Sequence, residues 1–453
     1  MSCCAEHQVL TTGSSYLFNV WSSSPFLTSL LLGPIVLAIV LVYPALVFFT
    51  PQEKHLDSSA FQYVTADDPS KRKTLPKLVE IDAENEEIQL SIVIPAFNEK
   101  DRLPVMLDEA VAFLETLKTS KKSLAEGNGK GKQANGHSHT ATETASKRAL
   151  VNPLQSIEFI IVDDGSRDST ARDVLEYAKK NKLDTSLRLV QLGQNCGKGR
   201  AVRHGVLHAR GALIAFCDAD GATRFSDLGN LAKEMDRIIT PAGYAIVCGS
   251  RNHLVQSEAV VKRSFARNFL MHSFHLVLKL LMRPPNPAKI VNSFLPNVNF
   301  FAKSSTSKRN LLPVQPPIRD TQCGFKLFTR RSAQAIFPLA HIDRWIFDVE
   351  LLLLAEVASS NTLQRTAASN PSLFADSAVK DPLLRLPLPI SEVAVDWREV
   401  EGSKIDILKD SIRMGLDLLI IRLNYAFGRW KGPGILPGVE SMSGKEKVDS
   451  CCK

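Results

Sequence analysis

The first strong feature in the pattern of apolar and polar positions is an uncharged run over residues 26–49, FLTSLLLGPIVLAIVLVYPALVFF. At about 1.5 Å per residue, a helix of this length crosses a hydrocarbon core of roughly 30 Å. Gly33, Pro34 and Pro44 interrupt it, as spanning helices tolerate. No Lys or Arg precedes the run and no small-residue cleavage site follows it, so a removable signal peptide fits poorly. Lys54, Lys71, Arg72, Lys73 and Lys77 come after it. The positive-inside rule therefore predicts a lumenal tail over residues 1–25 and a cytosolic body.

Residues 50–87 are polar and proline-containing and read as a tether. Strand and helix patterns then alternate. Short apolar runs at 89–94, 157–162, 187–191, 213–217 and 245–248 predict strands. Helical spacing occupies 103–117, 168–180 and 198–208. This order predicts an α/β catalytic domain over 88–404, a Rossmann-like, mostly parallel sheet with helices on both faces. Three stretches break the pattern and read as insertions: a polar one at about 119–148, a proline-rich one at about 283–318, and one at about 359–388. Residues 405–428 are strongly apolar, yet Lys409, Arg413 and Arg422 interrupt them. That predicts an amphipathic helix at a membrane interface over 405–430 rather than a second span. A buried helix is the other reading. The tail, 431–453, reads as disordered.

Composition narrows the partners only slightly. The 453 residues carry a formal net charge of +8 with an ordinary 44% hydrophobic content. A basic chain suits an anionic partner. No RNA-binding or zinc-finger signature is present, which argues against nucleic acid. The eight cysteines show no metal-site or disulfide spacing and read as reduced thiols. There is no N-x-S/T acceptor site.

In open α/β sheets ligands bind beyond the carboxyl ends of the strands, so the residues following each strand are the candidates for chemistry. Pro95 and Glu99 follow the first strand, within PAFNE. Asp163 and Asp164 follow the second, within DDGS; such acids accept hydrogen bonds from a base or ribose, though Asp, Gly and Ser also make turns and helix caps. The third strand leads to Lys198 within NCGKGR. Glycines at a helix start, with a Lys and an Arg, suit a phosphate, although the spacing is neither a P-loop nor a dinucleotide fingerprint. The fourth ends at Asp218, Ala219 and Asp220. Two carboxylates straight after a buried strand are costly unless paired or metal-bound, and oxygen ligands suit Mg²⁺ or Mn²⁺.

Taken in order, IVIPAFNE, VDDGS, GKGRAVRHG and DADGAT resemble the family-2 glycosyltransferases of the GT-A fold. GSR at 249–251, DTQCGFKLFTR at 320–330, RWIFDVE at 344–350 and WREVEGSK at 397–404 are similar to the eukaryotic dolichyl-phosphate β-glucosyltransferases. The long insertions depart from that pattern, above all the proline-rich stretch before Asp320.

The resemblance implies transfer of glucose from UDP-glucose to dolichyl phosphate, with inversion, at the cytosolic face of the endoplasmic reticulum membrane, for N-glycan assembly. It implies that Pro95, Glu99, Asp163, Asp164, Lys198, Asp218, Ala219 and Arg251 serve the donor. Asp218 and Asp220 would serve a Mg²⁺ or Mn²⁺ ion. Arg263, Arg267, Lys326, Arg330 and Arg344 are the candidates for the acceptor phosphate, and Asp220, Asp320 and Asp348 are the acids to test for catalysis. Asp320 and Asp348 read equally well as structural partners of nearby cations. A dolichyl-phosphate mannosyltransferase using GDP-mannose and a catalytically inactive membrane scaffold remain as rival readings. Oligomeric state is not legible.

Overall fold

The computed structural model describes residues 41–81, 88–127, 156–256, 313–369, 381–400, 402 and 407–439. The chain divides into two units, Met1–Gln52 and Glu53–Lys453. In the first, residues 41–49 are helical. Leu41, Phe48 and Phe49 are exposed, and the Thr50 hydroxyl and amide both donate to the Leu46 carbonyl. Residues 26–40 of the expected span lie outside the described residues, and among the described residues no helix is long and apolar enough to cross a membrane.

The second unit is built on nine strands: β1 (Gln62–Thr65), β2 (Asp68–Thr74), β3 (Leu90–Ala96), β4 (Ile157–Asp163), β5 (Leu187–Gln191), β6 (Leu213–Cys217), β7 (Ile246–Ser250), β8 (Phe325–Thr329) and β9 (Ile390–Ala394). Their order across the sheet is β2-β1-β5-β4-β3-β6-β8-β7-β9. β3, β4, β5 and β6 form a parallel core, in register Ala96↔Asp163↔Gln191 at their carboxyl ends. These strands are apolar runs with few polar breaks because helices cover both faces. One face carries α1 (Leu103–Gly127), which buries Leu103, Met106, Leu107, Ala110 and Leu114 at helical spacing. α3 (Lys198–Leu207) packs on β3 and β4, burying Ala201, Val202 and Val206. The remaining α-helices of this unit among the described residues are α2 (Thr170–Lys180), α4 (Leu228–Ile238), α5 (Arg330–Ile336), α6 (Phe347–Ser369) and α7 (Ile407–Ala426).

Several expectations are corrected. The sheet is mixed rather than mostly parallel. β1 pairs antiparallel with β2 and β5, and β8 runs antiparallel between β6 and β7. The supposed tether contains the β1–β2 hairpin; β2, DPSKRKT, is an exposed edge strand, where charge is expected and the apolar signal is absent. α1 continues past residue 117 to Gly127, and α6 runs to Ser369, so each takes in the start of a supposed insertion. In α6 the Thr362 and Thr366 hydroxyls donate to the Ala358 and Thr362 carbonyls one turn back, which lets polar residues lie buried in a helix. The first residues of the supposed disordered tail also pack. Leu436 is buried, its amide donating to Thr362 Oγ1, and Tyr244 Oη donates to the Pro437 carbonyl.

α7 buries Leu418, Ile421 and Asn424 on one side and exposes Ile412, Leu416 and Leu419 on another.

Candidate active site

The chain runs β3, β4, β5 to one side, then returns across β3 to form β6. That reversal is the crevice where open α/β sheets bind ligands, and it gathers the four motifs at one edge. The PAFNE and DDGS loops are knitted together there. Asn98, at φ 53°, donates its amide to Ser166 Oγ at 2.9 Å and accepts from the Arg167 amide at 2.8 Å. The Glu99 carboxylate accepts two bonds from Arg102, at 2.7 and 2.8 Å, and Arg102 reaches on to the Gly402 carbonyl.

Asp163 and Asp164 are both buried but do different work. Asp163 Oδ1 accepts from the Ser166 amide at 2.8 Å, and the residue lines an open cleft of about 470 Å³ with Phe97, Gly165, Ser166, Gln191 and Asn195. Gly165 lies at φ 75°, and a Cβ there would collide with the backbone of Gln194 and Asn195. Only glycine meets both demands. Asp164 faces the other way. Its two oxygens accept from the amides of Cys196 and Gly197, at 2.6 and 2.8 Å. Burial pushes its carboxyl up to about 6, against those two bonds. The structure thus places Asp164 under the β5–α3 loop, as a clamp, and leaves the cleft to Asp163.

α3 starts beside this cleft. Its N-cap Gly197 sits at φ 105°, pressed against the Asp343 carbonyl oxygen, which also accepts from the Arg200 amide at 3.0 Å. Lys198 Nζ lies 2.5 Å from Asp218 Oδ1 and 5.8 Å from the centre of the Trp345 ring. Burial disfavours the Lys198 charge, but Asp218 and then Asp348 outweigh it and hold its pKa above the ordinary value. Asp220 Oδ1 accepts from the Ala222 amide at 3.0 Å, and burial followed by the Asp218 charge raises its pKa. Ala219 is buried between them. Gly324 lies flat against the Asp218 carboxylate, so that any Cβ would collide with it.

A divalent cation fits this donor set. The Asp218 charge raises the cost of ionising Asp220, which a cation relieves. Among the described residues no group of three or more His, Cys, Asp or Glu forms a closed metal cage. Mg²⁺ sites characteristically use one or two carboxylates and complete their shell with water and substrate phosphate.

The expected acceptor residues scatter. Lys326 is fully buried, donating to Asp348 Oδ1 at 2.7 Å and to the Cys323 carbonyl at 2.6 Å. Arg330 is buried at the opposite edge of the sheet, on the carbonyls of Gly211 and Arg210. Both assignments to acceptor phosphate are therefore corrected. Because β8 is antiparallel to β6, its far end points away from the cleft. Arg263 and Arg267 lie outside the described residues. Arg344 is exposed beside Gly197, and is the expected acceptor cation, among the described residues, that the fold brings next to the start of α3.

The acids beyond the D-x-D pair are consumed structurally. Arg251 donates to Asp320 through its amide, Nε and Nη2 at 2.7–2.8 Å and lies over Trp397. Asp320 is half-buried, which favours its neutral form, yet the bonds from this arginine pull its pKa below the ordinary value. Pro95 stays within β3, opposite Val162.

Sequence reasoning missed Glu350. Its buried carboxylate accepts from the amides of His341 and Ile342 and from Tyr425 Oη, tying the 341–345 turn to α7. A lone acid inside the apolar run VELLLLA was the available signal.

The comparisons with known proteins agree with this geometry. The Glycosyl transferase family 2 signature matches residues 142–284. The chain is 38% identical over 356 residues to the dolichyl-phosphate beta-glucosyltransferase of Dictyostelium discoideum, covering 79% of this chain and 80% of that one. It is 33% identical to the human enzyme of that name (90% and 97% covered) and 34% identical to that of Saccharomyces cerevisiae (79% and 81%). It is similar, more distantly, to a crystal structure of glucosyl-3-phosphoglycerate synthase from Mycobacterium tuberculosis with Mn²⁺, uridine diphosphate and phosphoglyceric acid. There identity is 17%, coverage 78% and 84%, and the TM-score 0.36, too remote to transfer residue roles. With four motifs converging on one sheet edge and identities of this size along most of its length, the chain belongs to the dolichyl-phosphate β-glucosyltransferase family.

Proposed function

We propose that this chain transfers glucose from UDP-glucose to dolichyl phosphate, giving dolichyl β-D-glucosyl phosphate and UDP. The observation that carries the reading is the convergence of Asp163, Lys198, Asp218 and Asp220 on one sheet edge in a member of this family. The cleft beside Asp163 takes the uridine, whose ring edge and ribose present donors to the carboxylate. Lys198, at the positive end of α3, faces the diphosphate. It already balances Asp218 and stays protonated near neutral pH. Asp218 and Asp220 would hold Mg²⁺ or Mn²⁺, which neutralises the diphosphate as the sugar leaves.

The acceptor is a phosphate monoester with a second pKa near 6, so it is largely dianionic at neutral pH. It needs little help from a general base. The task left to the protein is to hold two anions together in line, and Arg344 at the mouth is the described cation suited to it. One displacement at an α-linked donor gives the β product. Because the acceptor is a polyprenyl lipid, the enzyme works at a membrane, with residues 26–49 as its anchor and the exposed Ile412, Leu416 and Leu419 of α7 facing lipid. We place the catalytic body on the cytosolic face of the endoplasmic reticulum. Protease added to sealed microsomes should remove a C-terminal tag.

The decisive experiment supplies purified chain in detergent with dolichyl phosphate, Mg²⁺ and either UDP-glucose or GDP-mannose. Glucose should reach lipid far faster than mannose, as an acid-labile β-glycosyl phosphate. A mannose preference would overturn the donor assignment. Binding of UDP-glucose without transfer of either sugar would favour an inactive scaffold.

A further inference from the structure

One wall of the nucleotide cleft is the β5–α3 loop, to which Gln194 and Asn195 belong. This loop has no regular structure of its own, and both residues are exposed. From inside it is fixed by Asp164 on the amides of Cys196 and Gly197. From outside, three consecutive residues more than a hundred positions earlier hold it and the start of the helix that follows it. The Lys54 ammonium donates to the Asn195 carbonyl, and Gln194 Nε2 donates to the His55 carbonyl at 2.9 Å. Glu53 Oε1 accepts from Arg203 Nη1 at 2.8 Å and lies 3.2 Å from Arg200 Nη1, both on α3. Glu53, Lys54 and His55 are all exposed, so none of them serves the core.

We propose that residues 53–55 form a strap that positions the nucleotide-binding wall, and that Glu53 and Lys54 are positioning residues for the donor. The inference rests on reading the Asp163 cleft as the nucleotide site. A loop held in its binding geometry before the ligand arrives spares the ligand the cost of ordering it. A loop that opens locally charges that cost to every binding event. Removing the strap therefore weakens donor binding while the carboxylates that act on the diphosphate stay in place. Affinity for the nucleotide falls and the chemical step does not.

The test uses the full chain in detergent, with uridine diphosphate and Mg²⁺ as the probe in titration calorimetry. Glu53→Ala with Lys54→Ala should raise the Kd for uridine diphosphate and the KM for the donor together by about tenfold. The turnover number should stay within about twofold of wild type. Lys54→Arg, which keeps the cation, should restore most of the affinity, and the Glu53→Ala and Arg203→Ala effects should be non-additive. If wild type binds uridine diphosphate and the double variant binds it equally well, the strap is overturned, even if the unfolding temperature drops. If wild type does not bind it, or Asp163→Asn leaves binding unchanged, the cleft reading fails and takes the strap with it.

Discussion

The residues expected to serve the donor and those expected to serve the acceptor are of the same kinds, yet the fold brings only the first set together at one edge. In the first set, Asp163 ends β4, and Lys198, Asp218 and Asp220 follow β5 and β6, all of which run parallel. Parallel strands deliver their following residues to one edge, so strand order alone brings these groups together. On the acceptor side, Lys326 and Arg330 sit on or after β8, which runs the other way. A residue after an antiparallel strand arrives at the far edge, and one within it points into the core. A polar group after a strand is therefore informative only once the strand's direction is known.

The largest effect expected is on the donor side. Asp218→Asn or Asp220→Asn should cut turnover by about a thousandfold while the unfolding temperature holds. Excess chelator should mimic the loss until Mg²⁺ or Mn²⁺ is restored. Full turnover in chelator would remove the metal from the donor side.

Next comes the buried pair on the other side. Lys326→Met leaves the buried Asp348 carboxyl without its partner and should destabilise the fold by about 3–5 kcal/mol. Adding Asp348→Leu should recover most of that loss in denaturant unfolding. If Lys326→Met instead folded normally and raised only the acceptor KM, the contrast between the two sides would collapse.

A smaller shift follows from pH. His204 is buried, its Nε2 on the carbonyl of Ala60, just before β1, at 2.8 Å. Burial, then His208, and more weakly Arg200 and Arg203, push its pKa down to about 4. The unfolded chain takes up this proton near pH 6.5 and the folded chain only near 4. The contribution is whole above pH 6.5 and is lost as pH falls through that window, on the order of 3 kcal/mol. His204→Gln should flatten this part of the unfolding-temperature profile.

The finest test separates the two arginines. Arg344→Ala should raise the acceptor KM by about tenfold with donor KM unchanged. Arg330→Ala should leave both constants alone and cost about 2 kcal/mol of stability.

Much of this fold was legible in the chain. The five strands read from apolar runs are present, because a buried strand cannot disguise its composition. What escaped was what solvent or neighbours conceal. β2 is a charged edge. β8 hid inside a motif read for its cations, and the outer half of α6 hid behind hydroxyls that bond to their own helix. In the site, the carboxylates were readable and their partners were not. Asp320 and Asp348 could be told from catalytic acids only by seeing Arg251 and Lys326 against them.

The direction of the strands also decides where this chain has room to grow. Residues 128–155 precede β4 and residues 370–380 precede β9 in the chain, and both strands start at the edge away from the cleft. Residues 257–312 fall between β7 and β8 in the chain, and β7 ends and β8 starts on the cleft edge. Lengthening either of the first two is remote from the chemistry, so they are the places to graft a reporter domain or open new termini by permutation. Cargo inserted between β7 and β8 would instead enter the chain on the cleft edge.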